Sequence, residues 1–155
     1  MRLTIAAIGR LKGGPEAALV ADYAARATQA GRPLALGPVD IVEVDERRAR
    51  GQAEQGERLL AAADGALIVA LDERGRAMDS PAFAALLAER RDGGTGRIAF
   101  LIGGADGHGA ALRARADRLL SLGPMVWPHA LARAMLAEQI YRAVSILAGS
   151  PYHRA

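Results

Sequence analysis

Arg97-Ile98-Ala99-Phe100-Leu101-Ile102, running straight into Gly103-Gly104-Ala105-Asp106-Gly107-His108-Gly109, is the stretch whose reading decides the fold. An apolar run this short, without polar alternation, suits a strand covered on both faces. The glycine-rich loop ends it, and 110–116 reads as a short helix. The same strand–loop–helix unit recurs outward in both directions. Arg2–Ile8 is a second continuous apolar run, followed by the loop Gly9–Pro15 and a helix over 16–30 that Gly31 and Pro33 stop. Val39–Val44 reads as a strand and 47–63 as a charged amphipathic helix, weakened by Gly51 and Gly56. Ala66–Leu71 is a further buried strand. Ser80 and Pro81 start a helix that ends near Asp92, with Ser80 as its cap. Arg118–Leu122 is the fifth strand, and a long helix covers about 130–148. Strands alternating with helices predict an α/β fold, a mostly parallel sheet with helices on both faces, spanning 1–155 as one domain. Ligands in such sheets bind beyond the carboxyl ends of the strands, here the loops after Leu71, Ile102 and Leu122.

Composition narrows the chemistry. The chain has 155 residues, a formal net charge of +3 and no cysteine, which excludes disulfides, thiolate metal sites and cysteine nucleophiles. Charges interrupt every apolar stretch well short of the roughly 18 residues of a membrane span. The apolar run at the N-terminus is too short for a leader and reads as a strand, so a cytoplasmic protein is expected. Lys12 is the only lysine beside 19 arginines. Guanidinium forks suit phosphate and stacked bases, and the same bias also follows from a GC-rich genome.

Several constellations fail on spacing. The loop after Ile102 has one G-x-G, at Gly107 and Gly109, with Leu112 where a dinucleotide fingerprint needs its third glycine. Gly104 and Gly109 have P-loop spacing, but Ala110 and Ala111 replace the lysine and the hydroxyl. His108, His129 and His153 stand in separate segments without metal-ligand spacing, so no metal is expected. No serine sits in a nucleophile elbow. Asp72 and Asp106 each follow a strand end and form a candidate carboxylate pair whose separation the sequence leaves open. On the last helix Leu136, Ile140, Val144 and Leu147 form an apolar stripe that Leu131 and Met135 widen. Glu138 precedes Arg142 by four residues, as a surface ion pair would. The tail Ser150-Pro151-Tyr152-His153-Arg154 gathers an aromatic ring, an imidazole and a guanidinium, groups that stack on unpaired bases and grip phosphates.

Taken in order, Leu71-Asp72, Leu101-Ile102-Gly103-Gly104 with Gly107, Pro128-His129, Glu138-Gln139-Ile140-Tyr141-Arg142-Ala143 and Pro151-Tyr152-His153 resemble one family over the whole chain. It is the ribosomal RNA large subunit methyltransferase H family of the SPOUT superfamily. The resemblance implies a trefoil knot near the C-terminus, S-adenosylmethionine as methyl donor, a homodimer built around the knot, and no metal. Its implied substrate is 23S rRNA in the assembled ribosome, at N3 of a pseudouridine in a stem-loop. Carried over by position, the donor pocket falls on Leu71, Gly103 and Leu122, Gly123, Pro124, Met125, Val126, Trp127. Arg142, Tyr152 and His153 fall near the acceptor, with His129 a weaker candidate. Where the family commonly has a serine and a threonine, this chain has Gly123 and Val126, which shifts donor contacts toward the backbone. Two other readings stay open: a SPOUT methyltransferase for another RNA, and a non-catalytic ribosome-binding or assembly factor.

Overall fold

The computed structural model describes residues 1–154. Five strands form one sheet in the order β2-β1-β4-β3-β5, and every neighbouring pair is parallel. The strands are β1 (Arg2–Ile8), β2 (Val39–Val44), β3 (Leu67–Ala77), β4 (Arg97–Ile102) and β5 (Arg118–Ser121). The helices are α1 (Pro15–Gly31), α2 (Gly51–Ala62), α3 (Ser80–Asp92), α4 (Ala110–Arg115) and α5 (His129–Leu147). Side chains alternate across a strand, so a run buried on both faces feeds two cores at once. In β1, Leu3, Ile5 and Ala7 join the core under α1, α3 and α5, while Ala6 and Ile8 join the one under α2 and α4. In β4, Ile98, Phe100 and Ile102 take the first face, and Ala99 and Leu101 the second. The α/β reading with helices on both faces therefore holds. α5 packs against both α1 and α3, burying Leu136, Ile140 and Val144, and Leu131 stays 39% exposed.

Three local expectations are corrected. The helix over 47–63 is broken: Asp45 accepts the Arg47 N–H at 3.0 Å and caps a 3-10 turn over Glu46–Arg48, and α2 begins only at Gly51, whose φ is +76°. The cap of α3 is Asp79, whose carboxylate accepts the Ala82 N–H at 2.8 Å. Ser80 is already helical and donates instead to Gln139 Oε1 of α5 at 2.7 Å.

The third correction shapes the site. β3 does not stop at Leu71. Leu71 and Arg76 both register with Leu120 of β5, so residues 72–75 bulge outward and the strand then resumes. Asp72 Oδ1 closes the bulge by accepting the Arg74 N–H at 2.9 Å. Gly75 lets the returning chain lie on β5, because a Cβ there would stand 2.6 Å from the Leu119 carbonyl carbon. Apolar patterning marks where burial begins, and a bulge leaves the buried layer, so its polar residues mimic the end of a strand.

Candidate active site

Because every strand runs the same way, the segments after β1, β4 and β5 and the bulge of β3 gather along one edge of the sheet. The segments after β4 and β5, the bulge of β3 and the first turn of α5 enclose a cavity of about 330 Å³. Leu71, Gly103, Leu122, Gly123, Met125, Val126 and Trp127 line it, so the three expected segments meet there, two as strand ends and one as the β3 bulge. Pro124 stands in the same loop but off the cavity wall.

Its glycine wall is tightly built. Gly104 and Gly107 form an antiparallel bridge, and the Gly107 N–H donates to the Gly104 carbonyl at 3.0 Å. A Cβ on Gly103 would stand 2.9 Å from the Gly107 carbonyl carbon, so only glycine fits this fold of the loop. From α2, Gln52 donates to the Asp106 carbonyl at 2.7 Å, and Arg113 of α4 donates to the His108 carbonyl. His108 is buried beneath the loop with Nε2 donating to the Leu101 carbonyl at 3.1 Å. Burial holds the imidazole below its ordinary pKa, against the pull of the Leu101 carbonyl and Asp72. His108 is thus a neutral structural post at neutral pH. The opposite wall is apolar and open: Met125 is 70% and Val126 87% exposed.

Polar groups complete the lining. Asp72, Glu73, Arg74, Asp106 and His129 all face the cavity. Asp72 and Asp106, the carboxylate pair considered from sequence, thus line one cavity, although Asp72 is engaged by the Arg74 N–H and, at 3.3 Å, by Arg74 Nη1. His129 is the first residue of α5, is exposed, and neither caps the helix nor joins the core. Gln52, Glu73 and Arg74 are additions that sequence reasoning missed. The bulge hid two of them, and a glutamine on a charged helix carries no signal of its own.

The second constellation forms on α5 and the tail. Glu138 Oε1 accepts from Arg142 Nε at 3.0 Å and Nη2 at 2.6 Å, and also from the Tyr152 hydroxyl at 2.9 Å. The Arg142 guanidinium carbon lies 5.0 Å from the Tyr152 ring centre, and Nη1 reaches His153 Nδ1 at 3.4 Å. Tyr152 packs on Tyr141 with ring centres 4.6 Å apart, and Tyr141 lies 6.0 Å from Tyr23 of α1. The tail is therefore docked on α5. Burial, with hydrogen bonds to Tyr23 and Glu138, pushes the Tyr152 phenol far above its ordinary pKa. Glu138 holds Arg142 above the usual arginine range. Tyr152 is accordingly a donor and a flat surface, not a base. Glu138 organises all three groups, a role the i, i+4 spacing hinted at only for Arg142.

Arg142, Tyr152 and His153 do not line the 330 Å³ cavity. Glu138 instead lines an adjoining apolar groove of about 670 Å³ with Met78, Phe83 and Met135. The groove shares Leu120–Gly123 with the cavity, so the two constellations stand on either side of one loop. Among the described residues, no group of three or more His, Asp or Glu is placed to hold a metal, and no helix is long and apolar enough to cross a membrane.

Comparison with known proteins supplies the remaining finding. Residues 1–153 match a family model described as "Predicted SPOUT methyltransferase". A protein of Phenylobacterium zucineum named "Ribosomal RNA large subunit methyltransferase H" is 58% identical over 154 residues, 99% of each chain. Proteins of the same name from Roseobacter denitrificans and Dinoroseobacter shibae are 57% and 56% identical over 155 residues, again 99% of each. Among solved structures, the SpoU methyltransferase AviRb of Streptomyces viridochromogenes, in complex with the cofactor AdoMet, aligns with a TM-score of 0.45 at 17% identity. That alignment covers 96% of this chain and 59% of AviRb.

Proposed function

We infer a donor and an acceptor from one premise: the chain belongs to the SPOUT methyltransferase family. The donor is S-adenosylmethionine, and the acceptor is 23S rRNA, at N3 of a pseudouridine in a stem-loop of the assembled ribosome. The protein works in the cytoplasm as a single-domain homodimer, with the family's trefoil knot near its C-terminus.

The observation that carries the donor assignment is the cavity itself. Its residues fit such a ligand. Leu71, Met125, Val126 and Trp127 offer apolar surface for a flat ring, Gly103 leaves backbone groups open to close approach, and Asp72, Glu73 and Asp106 suit a cationic ligand. When bound there, the donor supplies a sulfonium methyl group for in-line displacement.

The chain's own work is alignment and charge. Arg142, held by Glu138, stabilises the negative charge that develops on the carbonyl oxygens flanking N3. Tyr152, protonated and packed on Tyr141, positions the base, and His153 binds RNA or accepts the N3 proton. The protein relies on the ribosome for much of its recognition, so naked rRNA is a poor substrate.

Transfer of labelled methyl to purified ribosomes and to naked rRNA tests this reading. Arg142→Ala and Tyr152→Ala are expected to slow transfer to ribosomes by about 100-fold, the scale of losing one transition-state donor. Donor binding by calorimetry should change little. Equal transfer to both substrates overturns the ribosome assignment, and lost donor binding overturns the placement of Arg142 and Tyr152.

A further inference from the structure

The loops after β1 and β2 lie on the same edge of the sheet as the donor cavity. Within residues 9–15 and 45–50 there are five cations, Arg10, Lys12, Arg47, Arg48 and Arg50, against two carboxylates, Asp45 and Glu46. The segments touch: Gly9 donates its N–H to the Val44 carbonyl at 2.8 Å, and Arg10 lowers the Asp45 pKa, behind the larger pull of Arg47. Arg47 is spent on Asp45, with Nε and Nη2 at 3.1 and 3.0 Å. Among the described residues, Arg10, Lys12, Arg48 and Arg50 make no ion pair, and all four are exposed.

The far edge of the sheet is different. There Arg2 is paired with Asp40, Arg97 donates to the Asp64 carbonyl, and Arg91 is divided between Asp92 and the Leu34 carbonyl. Among the described residues, the far edge also keeps arginines without ion pairs, Arg32, Arg90, Arg115 and Arg118, spread over the ends of α1, α3 and α4 and the start of β5, whereas at the cavity's edge four such cations stand on two touching loops.

The platform beneath is rigid. Arg133 of α5 is fully buried, donating to the carbonyls of Ile8 at 3.1 Å and Gly9 at 3.0 Å and to Glu43 Oε2 at 2.7 Å. The same Glu43 oxygen accepts the Leu11 N–H at 2.7 Å, clamping the residue between Arg10 and Lys12. Arg133 lies one helical turn beyond His129 on the cavity wall, so clamp and cavity share α5. Like charges gathered on a fixed surface repel one another and favour an anion with repeated charge, and guanidinium forks match phosphate oxygens two at a time.

We propose that the loops after β1 and β2 form a ledge beside the donor cavity that binds RNA backbone phosphates through Arg10, Lys12, Arg48 and Arg50. The ledge rests on the rRNA methyltransferase reading and adds to it where the substrate lies. It holds the RNA by charge, and the base is chosen elsewhere.

The test is the salt dependence of binding to ribosomes purified from cells lacking the gene, followed by filter binding between about 50 and 200 mM salt. Each phosphate contact contributes about 0.7–0.9 to the slope of log K against log salt. Arg10→Gln with Lys12→Gln, and Arg48→Gln with Arg50→Gln, should each lower the slope by about 1.5, and the fourfold variant by about 3. Arg32→Gln with Arg90→Gln removes the same charge from the far edge and should leave the slope within about 0.5 of wild type. Donor affinity by calorimetry should stay within about twofold throughout, a shift too small to reflect a lost contact. If wild type transfers methyl and the ledge variants keep its slope, or the far-edge variant falls equally, the ledge is overturned and the methyltransferase reading stands. If wild type methylates no ribosomal RNA, the reading falls and the ledge with it.

Discussion

Replacing Glu43 by glutamine keeps the side chain's shape and removes its charge, leaving Arg133 buried beside a neutral amide. The wild-type contact is 2.7 Å, which at an effective dielectric of about 20 is a gross attraction of about 6 kcal/mol. Two facts reduce the net loss. The Glu43 side chain is 32% exposed, so water already screens part of the attraction, and the glutamine carbonyl retains one accepted hydrogen bond. The Arg133 side chain is only 1% exposed and its Nε has no partner, so the cation cannot turn to water for compensation. The expected cost of Glu43→Gln is therefore about 2–3 kcal/mol, below the roughly 3–5 typical of breaking a fully buried pair. For a chain of this size that is a fall in Tm of about 5–10 °C. Adding Arg133→Met removes the stranded charge but also the donor to the Ile8 and Gly9 carbonyls, so the double variant should stay below wild type yet cost clearly less than the sum of the two single ones. Urea titration at pH 7 measures both steps. A Glu43→Gln protein within about 0.5 kcal/mol of wild type, or a double variant that costs the sum of the two single ones, refutes the electrostatic reasoning.

Three further outcomes are expected. Gly75→Ala puts a Cβ 2.6–2.7 Å from the Leu119 and Leu120 backbone, so β5 must move at a cost of about 1–3 kcal/mol. A lowered urea midpoint with faster amide exchange in Leu119–Ser121 checks it. Gly103→Ala pushes on the Gly107 backbone and deforms the cavity wall, so S-adenosylmethionine binding should weaken by about tenfold or more, read by calorimetry. His108 titrates below its ordinary value of 6.5 in the fold because it is buried, so the unfolded chain takes up this proton first. Its contribution to stability is present above pH 6.5 and lost as pH falls through that value toward the folded pKa. His108→Gln should flatten the drop in Tm between pH 7.5 and 5.5, and an unchanged drop assigns it to other groups.

What could be read along the chain was whatever burial imposes on consecutive residues. Arg2–Ile8, Val39–Val44 and Arg97–Ile102 are strands with the ends their patterning predicts, and α5 begins and ends one residue before the expected 130–148. Strand-end loops, glycines and the tail could be singled out the same way, because their chemistry is local. Errors fell where a side chain's partner is distant or the backbone leaves the regular pattern. Asp79 displaced Ser80 as a cap because Gln139, 59 residues away, claims the Ser80 hydroxyl. β3 outran Leu71 because β5 takes the strand back after the bulge.

By itself, then, the order of residues determined the layers, their alternation and the edge on which a ligand would be sought, since hydrophobic periodicity is a property of neighbours. Only the tertiary structure decided that Glu138 joins Arg142 to Tyr152 across 14 residues, and that Glu43 and Arg133, 90 apart, lock the loop between two free cations. Such pairings depend on distances set by the packing of α5 against the sheet. Attraction between charges acts through space, and beyond a single helical turn the spacing along the chain carries no record of it.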